Sequence, residues 1–251
     1  MNKAIKGNQG EIKYTQLLNL KNRFWDVLPY DINTTFAIHV NSNKYGKINE
    51  SKIPPKADIF FATGFIDNNY LINNNYYLNE KDLVKFNLKP LEKSGVSVKL
   101  PNSRYTITKI SPNTFYKIFK DNILGAGASI YCKLERELWK NPDVLNGWGV
   151  TESFFKSFFI RKLNLPDIVL NDLSTLKRIK KISNEEISRI IESDKVISDL
   201  IFKGIGNFEE PFTAHWIIEN DILKPNYYIP FLITTGSGRS KGIFTVVLKP
   251  K

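Results

Sequence analysis

The chain of 251 residues is predicted to adopt an α/β fold of the α+β type, with a central mixed β-sheet flanked by helices. Short apolar segments typical of buried strands occur in the first half and again near the end. Helical patterns dominate residues 130–203, and the composition, 42% apolar and 24% charged, is that of a folded protein. We therefore expect a single domain over 1–251, with its core in 1–125 and a helical and β-hairpin portion in 126–251.

The first 110 residues predict one helix followed by strands. Residues 7–24 carry Ile12, Leu17, Leu18 and Leu20 on one broad face, which indicates an amphipathic helix. Strands are predicted over 35–40, 57–62, 95–100 and 105–110. The Asn-rich stretch 64–94 predicts a surface excursion with one short helix at 80–86.

The second half predicts a largely helical middle and a C-terminal hairpin. Ser111 and Pro112 are typical of the first residues of a helix, here over 111–119. Further helices are predicted over 130–140, 150–163 and 183–203, the last beginning at Ser183 or Asn184. Strands over 212–220 and 227–235 are expected to form a hairpin, and a glycine turn over 236–242 precedes a final strand.

Several classes of protein are excluded or disfavoured by composition. One cysteine, Cys132, allows neither an intramolecular disulfide nor a cysteine zinc cluster, and two histidines leave little for a histidine metal site. The chain has no GxxxxGK[ST] motif, and its other glycine-rich stretches lack a dinucleotide-binding context, so we expect no nucleotide cofactor. Without an apolar signal region or a membrane-length apolar run, we expect a cytoplasmic protein with no membrane partner.

The charge balance points to a polyanionic partner. The chain has 36 Lys and Arg against 25 Asp and Glu, a formal net charge of +11. Lys and Arg that contact phosphates release counterions and supply most non-specific affinity for nucleic acid. A basic protein without such a partner is the alternative.

Two charged residues stand inside strand-like segments. Asp58 comes before three apolar residues, and Lys99 lies between Val98 and Leu100. Alternation along the strand places Ser97 and Lys99 on the face opposite Val98. If the two strands pair, the carboxylate and the ammonium group meet at one edge of the sheet. The alternatives are that Asp58 caps a turn and that Lys99 extends from an edge strand to water.

Such a pair suits phosphodiester hydrolysis. A carboxylate binds a divalent cation, which stabilises the charge that develops on the phosphate and lowers the pKa of a bound water. A lysine positions or deprotonates that water and offsets the same charge.

This order of elements resembles the PD-(D/E)XK nuclease superfamily and, within it, the type II restriction endonucleases. The resemblance covers roughly residues 5–120: a helix with a glutamate, an aspartate that opens an apolar strand, and a strand that carries "SVK". It implies a restriction-endonuclease-like fold, Mg²⁺ as cofactor, Asp58 as the first acid and Lys99 as the lysine. Ser97 stands where the family usually has an acid, and the carbonyl of Val98 is implied as a metal ligand.

The resemblance also implies a second carboxylate. Glu11 is the first choice because the family often supplies a glutamate from its first helix, and "KGNQGEI" is similar to that helix. Glu135 is a weaker candidate, since some family members carry an acid downstream of the lysine.

Residues that could read DNA follow the predicted catalytic strand and lie in the last glycine turn. Base edges and phosphates are contacted by Arg, Lys, Asn, Ser and Thr side chains, and a helix N-terminus also binds phosphate. The candidates are Asn102, Ser103, Arg104, Lys109, Asn113, Lys117, Ser237, Arg239, Ser240 and Lys241. The basic run 177–181 is typical of a solvated helix face, with phosphate contact as the alternative.

The sequence thus predicts a Mg²⁺-dependent, site-specific deoxyribonuclease of a restriction-modification system. It would cut both strands of duplex DNA and leave 5′-phosphates, with 1–125 as the catalytic core and 126–251 contributing to DNA recognition. Cutting of both strands suggests a homodimer, although a monomer that nicks each strand in turn is an alternative. A non-cleaving DNA-binding protein on the same fold and a non-specific, toxin-like nuclease are the two rival functions.

Overall fold

The computed structural model describes residues 3–40, 55–101, 105–130, 140–236 and 244–251. Within these ranges the chain is a mixture of helices and two β-sheets, which confirms the predicted α+β class. The chain divides into two compact units: unit 1 is Met1–Arg104 with Asp199–Tyr228, and unit 2 is Tyr105–Ser198 with Ile229–Lys251. Residues 105–125, predicted in the catalytic core, therefore belong to unit 2, whereas 199–228, predicted for DNA recognition, belong to unit 1.

The helices are α1 (Lys3–Asn19), a 3-10 helix (Arg23–Val27), α2 (Asn68–Asn73), α3 (Glu80–Lys85), α4 (Pro112–Phe119), α5 (Ile123–Ser129), α6 (Asn141–Gly147), α7 (Glu152–Leu163), α8 (Leu173–Ser193) and α9 (Lys195–Phe202). The strands are β1 (Thr35–His39), β2 (Ile59–Thr63), β3 (Lys89–Pro90), β4 (Val96–Lys99), β5 (Thr108–Ile110), β6 (Trp216–Glu219), β7 (Ile222–Pro225), β8 (Phe231–Gly236) and β9 (Thr245–Pro250). In the ranges described above, no helix combines the length and apolar character needed to cross a bilayer.

A mixed sheet organises unit 1. Its strands lie in the order β1-β2-β4-β6-β7, with β3 also paired to β2. β2 is antiparallel to both β1 and β4, and β4 is parallel to β6. The segment "GVSVKL" therefore forms a central strand, as its apolar alternation predicts, and it lies beside the strand that Asp58 precedes.

The two faces of this sheet carry separate buried clusters. Ile59 and Phe61 of β2 pack in one cluster with Val96 and Val98, whereas Phe60 of β2 belongs to the other. This alternation confirms that Val96 and Val98 face a core that excludes Ser97. Helix α1 covers the first cluster with Tyr14 and Leu18.

The predicted hairpin between 212–220 and 227–235 is wrong. β6 instead forms a hairpin with β7 through Asn220 and Asp221, which have φ values of +52° and +58°. Asn and Asp tolerate this left-handed conformation, so a two-residue turn fits between the strands. β8 pairs with β9 in the second sheet, whose order is β5-β9-β8 and which belongs to unit 2.

Nearly all of the predicted range 183–203 is helical, but its predicted start is wrong and it is divided at Asp194 into α8 and α9. Helix α8 begins ten residues earlier, because Asp172 accepts hydrogen bonds from the N–H groups of Ser174 and Thr175. Ser183 lies in the middle of α8 and is buried. It packs closely against Gly127 of α5, since a β-carbon added to that glycine would lie 2.2 Å from the Ser183 hydroxyl oxygen. By contrast, the predicted start of α4 is confirmed, since the Ser111 hydroxyl accepts the N–H of Thr114.

Other boundaries differ in smaller ways. α1 ends at Asn19, and the remainder of the predicted helix forms the 3-10 turn capped by Asn22. The excursion over 64–94 contains α2 in addition to the predicted α3. Most of the helix predicted over 130–140 lies outside the described residues.

Gly95, which directly precedes β4, provides a test of how this strand is held. A β-carbon there would lie 1.9 Å from the carbonyl oxygen of Thr213 and 2.6 Å from that of Pro211. We expect Gly95→Ala to destabilise the protein by about 3 kcal/mol or more, because backbone atoms on both sides must move. Urea unfolding followed by circular dichroism measures the loss.

Gly149→Ala is the matched control. Its φ of +65° gives alanine a backbone cost of about 1–2 kcal/mol, but no atom lies within 4 Å of the added carbon. Equal losses for the two variants would contradict the close approach at Gly95.

Candidate active site

Asp58 is fixed in place by the backbones of two neighbouring strands. It lies immediately before β2, and its N–H donates to the carbonyl of Val96 at 2.8 Å. Its own carbonyl accepts the N–H of Val40, just after β1, at 2.9 Å. The backbone of Asp58 is therefore held in a defined position between the end of β1 and β4.

The Asp58 carboxylate replaces a missing backbone contact on β4. β2 and β4 are paired in register at Ile59 and Val96. At Asp58, the residue before Ile59, the side-chain carboxylate contacts the backbone of β4 instead. Its Oδ2 accepts the N–H of Val98 at 2.7 Å and the hydroxyl of Ser97 at 3.3 Å. Ser97, at the position where an acid is usual, thus holds Asp58 by a hydrogen bond.

Lys99 ends β4 on the same side of the strand as Ser97, next to Glu219 of β6 in register. Burial raises the pKa of Asp58 above the ordinary carboxyl value, and the positive charge of Lys99 acts against this shift. The two residues singled out in the sequence are therefore electrostatic neighbours at one end of the sheet.

Lys56 is a third member of this cluster that sequence reasoning missed. It lies two residues before Asp58, and burial together with the positive charge of Lys99 lowers its pKa to about 8, while Asp58 opposes the shift. A lysine just upstream of a buried strand, in "PPKADIFF", was the signal that could have found it. Asp58 is thus flanked by two cationic side chains.

Glu11 of α1 reaches the same end of the sheet. Its Oε2 lies 2.9 Å from Nε2 of His39, the last residue of β1 and the register partner of Ile59. The negative charge of Glu11 also contributes to the raised pKa of Asp58. The charges of Glu11 on α1 and Lys99 on β4 therefore both act on Asp58, which directly precedes β2.

The oxygen donors at this end suit a magnesium ion. The Val98 N–H points at Asp58, and in a strand the N–H and C=O of one residue point to the same neighbour, so its carbonyl faces that side too. Mg²⁺ binds through one or two carboxylates, with water and substrate phosphate completing its shell. In the part of the chain that the structure describes, no group of three or more His, Cys, Asp or Glu is placed to hold a metal ion. Asp58 and Glu11, whose charges interact, are two carboxylates at this end of the sheet.

The predicted DNA-contacting residues are placed only in part. Lys109 on β5 and Asn113 and Lys117 on α4 are exposed and belong to unit 2. The other seven, together with Glu135, lie outside the described residues: Asn102, Ser103, Arg104, Ser237, Arg239, Ser240 and Lys241. Their roles stay predictions.

The positive charge is distributed unevenly between the units. The residues of unit 2 include 19 Lys and Arg and 11 Asp and Glu, a net charge of +8. Those of unit 1 include 17 and 14, a net charge of +3. In unit 2, Lys177, Arg178 and Lys181 are exposed along the first half of α8. Unit 2 therefore carries most of the charge excess that favours a polyanionic partner.

The lowered pKa of Lys56 predicts a pH-dependent cost to stability. Between pH 8 and about 10.5 the folded protein binds fewer protons at this site than the unfolded chain, so wild-type stability rises with pH over that window. Below pH 8 the buried charge costs up to about 3 kcal/mol. We therefore expect Lys56→Met to stabilise the metal-free protein at pH 7, with the difference from wild type shrinking as the pH approaches 10.5.

Urea unfolding in a chelating buffer at several pH values measures this difference. Lys81→Met, at an exposed lysine of α3, is the control and should follow the wild type throughout. Parallel curves for Lys56→Met and wild type across pH 8–10.5 would contradict the burial of the Lys56 charge.

Comparison with known proteins assigns no family to this chain. Neither a protein-family model nor a curated protein sequence matches it. The grouping of Glu11, Asp58 and Lys99 at one end of the unit 1 sheet is therefore the basis for a functional proposal.

Proposed function

We propose that this protein is a Mg²⁺-dependent endonuclease that hydrolyses phosphodiester bonds of duplex DNA at a specific sequence, as type II restriction endonucleases of the PD-(D/E)XK kind do. The observation that carries the proposal is the placement of Asp58, directly before β2, beside the strand β4 that ends in Lys99, with Asp58 bound to the backbone of Val98. Glu11 joins them from α1, so the helix–aspartate–lysine order of the sequence becomes one site.

The carboxylates of Asp58 and Glu11 and the carbonyl of Val98 would hold the Mg²⁺ ion. When bound, the ion supplies a Lewis acid for the phosphate and lowers the pKa of a bound water. The hydrogen bonds from Val98 and Ser97 orient the Asp58 carboxylate and favour its charged form, against the burial that raises its pKa.

The two lysines act on the substrate. Lys99 orients the attacking water and offsets the negative charge that builds on the phosphate in the transition state. Lys56 adds a second positive charge beside Asp58, which favours binding of the anionic scissile phosphate. Both charges act in a partly buried site, where electrostatic interactions are stronger than in water.

DNA binding is assigned mainly to unit 2 and the glycine turn. The net charge of +8 in unit 2 supports contact with the phosphate backbone, and Lys109 and Lys117 are exposed there. Base reading is assigned to the polar groups of 102–104 and 237–241, with Arg239 as the principal residue. A homodimer would cut both strands with one site from each protomer.

A non-cleaving DNA-binding protein is the second candidate. The observation that favours it is Ser97, which stands where a second acid is usual and which donates a hydrogen bond to Asp58. The third candidate, a non-specific nuclease, would cut with the same site but make no sequence-specific contacts to the bases.

Digestion of a large plasmid with and without Mg²⁺ distinguishes the three functions. Discrete fragments formed only with Mg²⁺ are the expected result, and sequencing of their ends identifies the site. A Mg²⁺-dependent smear would indicate a non-specific nuclease. Intact DNA that migrates more slowly with protein would indicate a binding protein that does not cut.

Lys99→Ala provides the test of the mechanism. We expect its site-specific cleavage rate to fall by at least about 10³-fold, because the variant lacks the ammonium group that orients the attacking water and offsets the transition-state charge. DNA affinity in a gel-shift assay should remain within a few fold of wild type. Lys81→Ala, which removes an exposed lysine of α3, is the matched control and should cut normally. Cleavage by Lys99→Ala at the wild-type rate would refute this role.

A further inference from the structure

We propose that His39 is a positioning residue for Glu11, which it holds so that one carboxylate oxygen remains available to the metal ion. The inference rests on the proposed function. Nε2 of His39 lies 2.9 Å from Oε2 of Glu11, within hydrogen-bonding distance. The imidazole is fully buried, whereas the Glu11 side chain is 29% exposed. One side of the carboxylate therefore contacts the protein, and the other side is accessible to solvent.

His39 is held by a backbone hydrogen bond and by a ring stacked on its imidazole. The backbone N–H of His39 donates to the carbonyl of Tyr76 at 2.9 Å. The ring stacks on Tyr77 with a centroid distance of 4.3 Å and an interplanar angle of 25°. Tyr77 in turn donates its hydroxyl to Asn8 at 2.6 Å, three residues before Glu11 on the same helix. Tyr77 therefore connects the imidazole to the helix that carries Glu11.

The surroundings of the second ring nitrogen indicate which tautomer is present. Nδ1 of His39 is buried and has no hydrogen-bond partner among the described residues. A proton on Nδ1 would be buried without an acceptor, which costs more than leaving a lone pair unused there. We therefore place the proton on Nε2, from which it is donated to Oε2 of Glu11.

This donation fixes the Glu11 carboxylate without neutralising it. One oxygen accepts from His39, and the other remains available as a ligand. Groups that hydrogen-bond to a ligating carboxylate orient it, and their loss typically costs 10–100-fold in metal affinity. A purely structural role of His39, as an anchor of α1 on β1, would instead affect stability and leave metal affinity unchanged.

The test compares substitutions of His39 in the full chain. His39→Gln keeps a donor near the position of Nε2, His39→Asn keeps an amide that is too short to reach Glu11, and His39→Leu removes the donor. Binding of Mn²⁺ alone, followed by loss of the free-ion EPR signal, reports metal affinity without DNA. The Mg²⁺ concentration for half-maximal plasmid cleavage reports it during turnover.

We expect His39→Leu and His39→Asn to bind Mn²⁺ about 10–100-fold more weakly and to need correspondingly more Mg²⁺. Their cleavage rates at saturating Mg²⁺ should recover, and His39→Gln should stay within a few fold of wild type. Lys81→Ala, at an exposed lysine of α3, is the control and should bind Mn²⁺ as the wild type does.

Equal Mn²⁺ affinity of the Gln and Asn variants would overturn the inference, and this comparison remains available if His39→Leu does not fold. Wild-type affinity in His39→Leu would overturn it as well. A wild-type protein that neither binds Mn²⁺ nor cuts DNA would instead overturn the proposed function, and the role of His39 with it. Failure of the inference alone shows as normal wild-type cleavage with unchanged metal affinity in all His39 variants.

Discussion

The hydrogen bond from the Val98 N–H to the Asp58 carboxylate, at 2.7 Å, is the contact on which the site depends. β2 and β4 pair at Ile59 and Val96, and beyond this point the carboxylate satisfies a backbone donor that β2 does not reach. The aspartate is therefore part of the sheet and part of the site. The same bond aims the Val98 carbonyl toward that side and holds Ser97 and Lys99 in register with it.

Burial of charge at this end of the sheet carries a cost that packing elsewhere must offset. Desolvation raises the pKa of Asp58 and lowers that of Lys56, so each group alone would be disfavoured in its charged form. The negative charge of Asp58 acts against the shift of Lys56. The positive charge of Lys99 acts against the shift of Asp58 but adds to that of Lys56. Under the proposed function, an anionic phosphate and a divalent cation would bind among these charges.

Local patterns predicted from the sequence were correct where local chemistry decides the structure. Ser111 and Pro112 marked the start of α4, and alternation over 96–100 separated Ser97 from the core. The site was predictable only in part. Lys56 lies beside Gly204, which is far along the chain, and Glu11 meets His39 only through the docking of α1 on β1. Such contacts depend on tertiary packing, which periodicity does not encode.

Cleavage by Asp58→Asn tests the central claim most directly, because the amide oxygen can still accept the Val98 N–H while the negative charge is lost. Plasmid cleavage at saturating Mg²⁺ is measured beside urea unfolding, which should stay within about 1 kcal/mol of wild type. We predict a loss of site-specific cleavage of at least about 10³-fold with the fold intact. Cleavage at the wild-type rate would show that Asp58 only supports the sheet and that this site is not the catalytic centre.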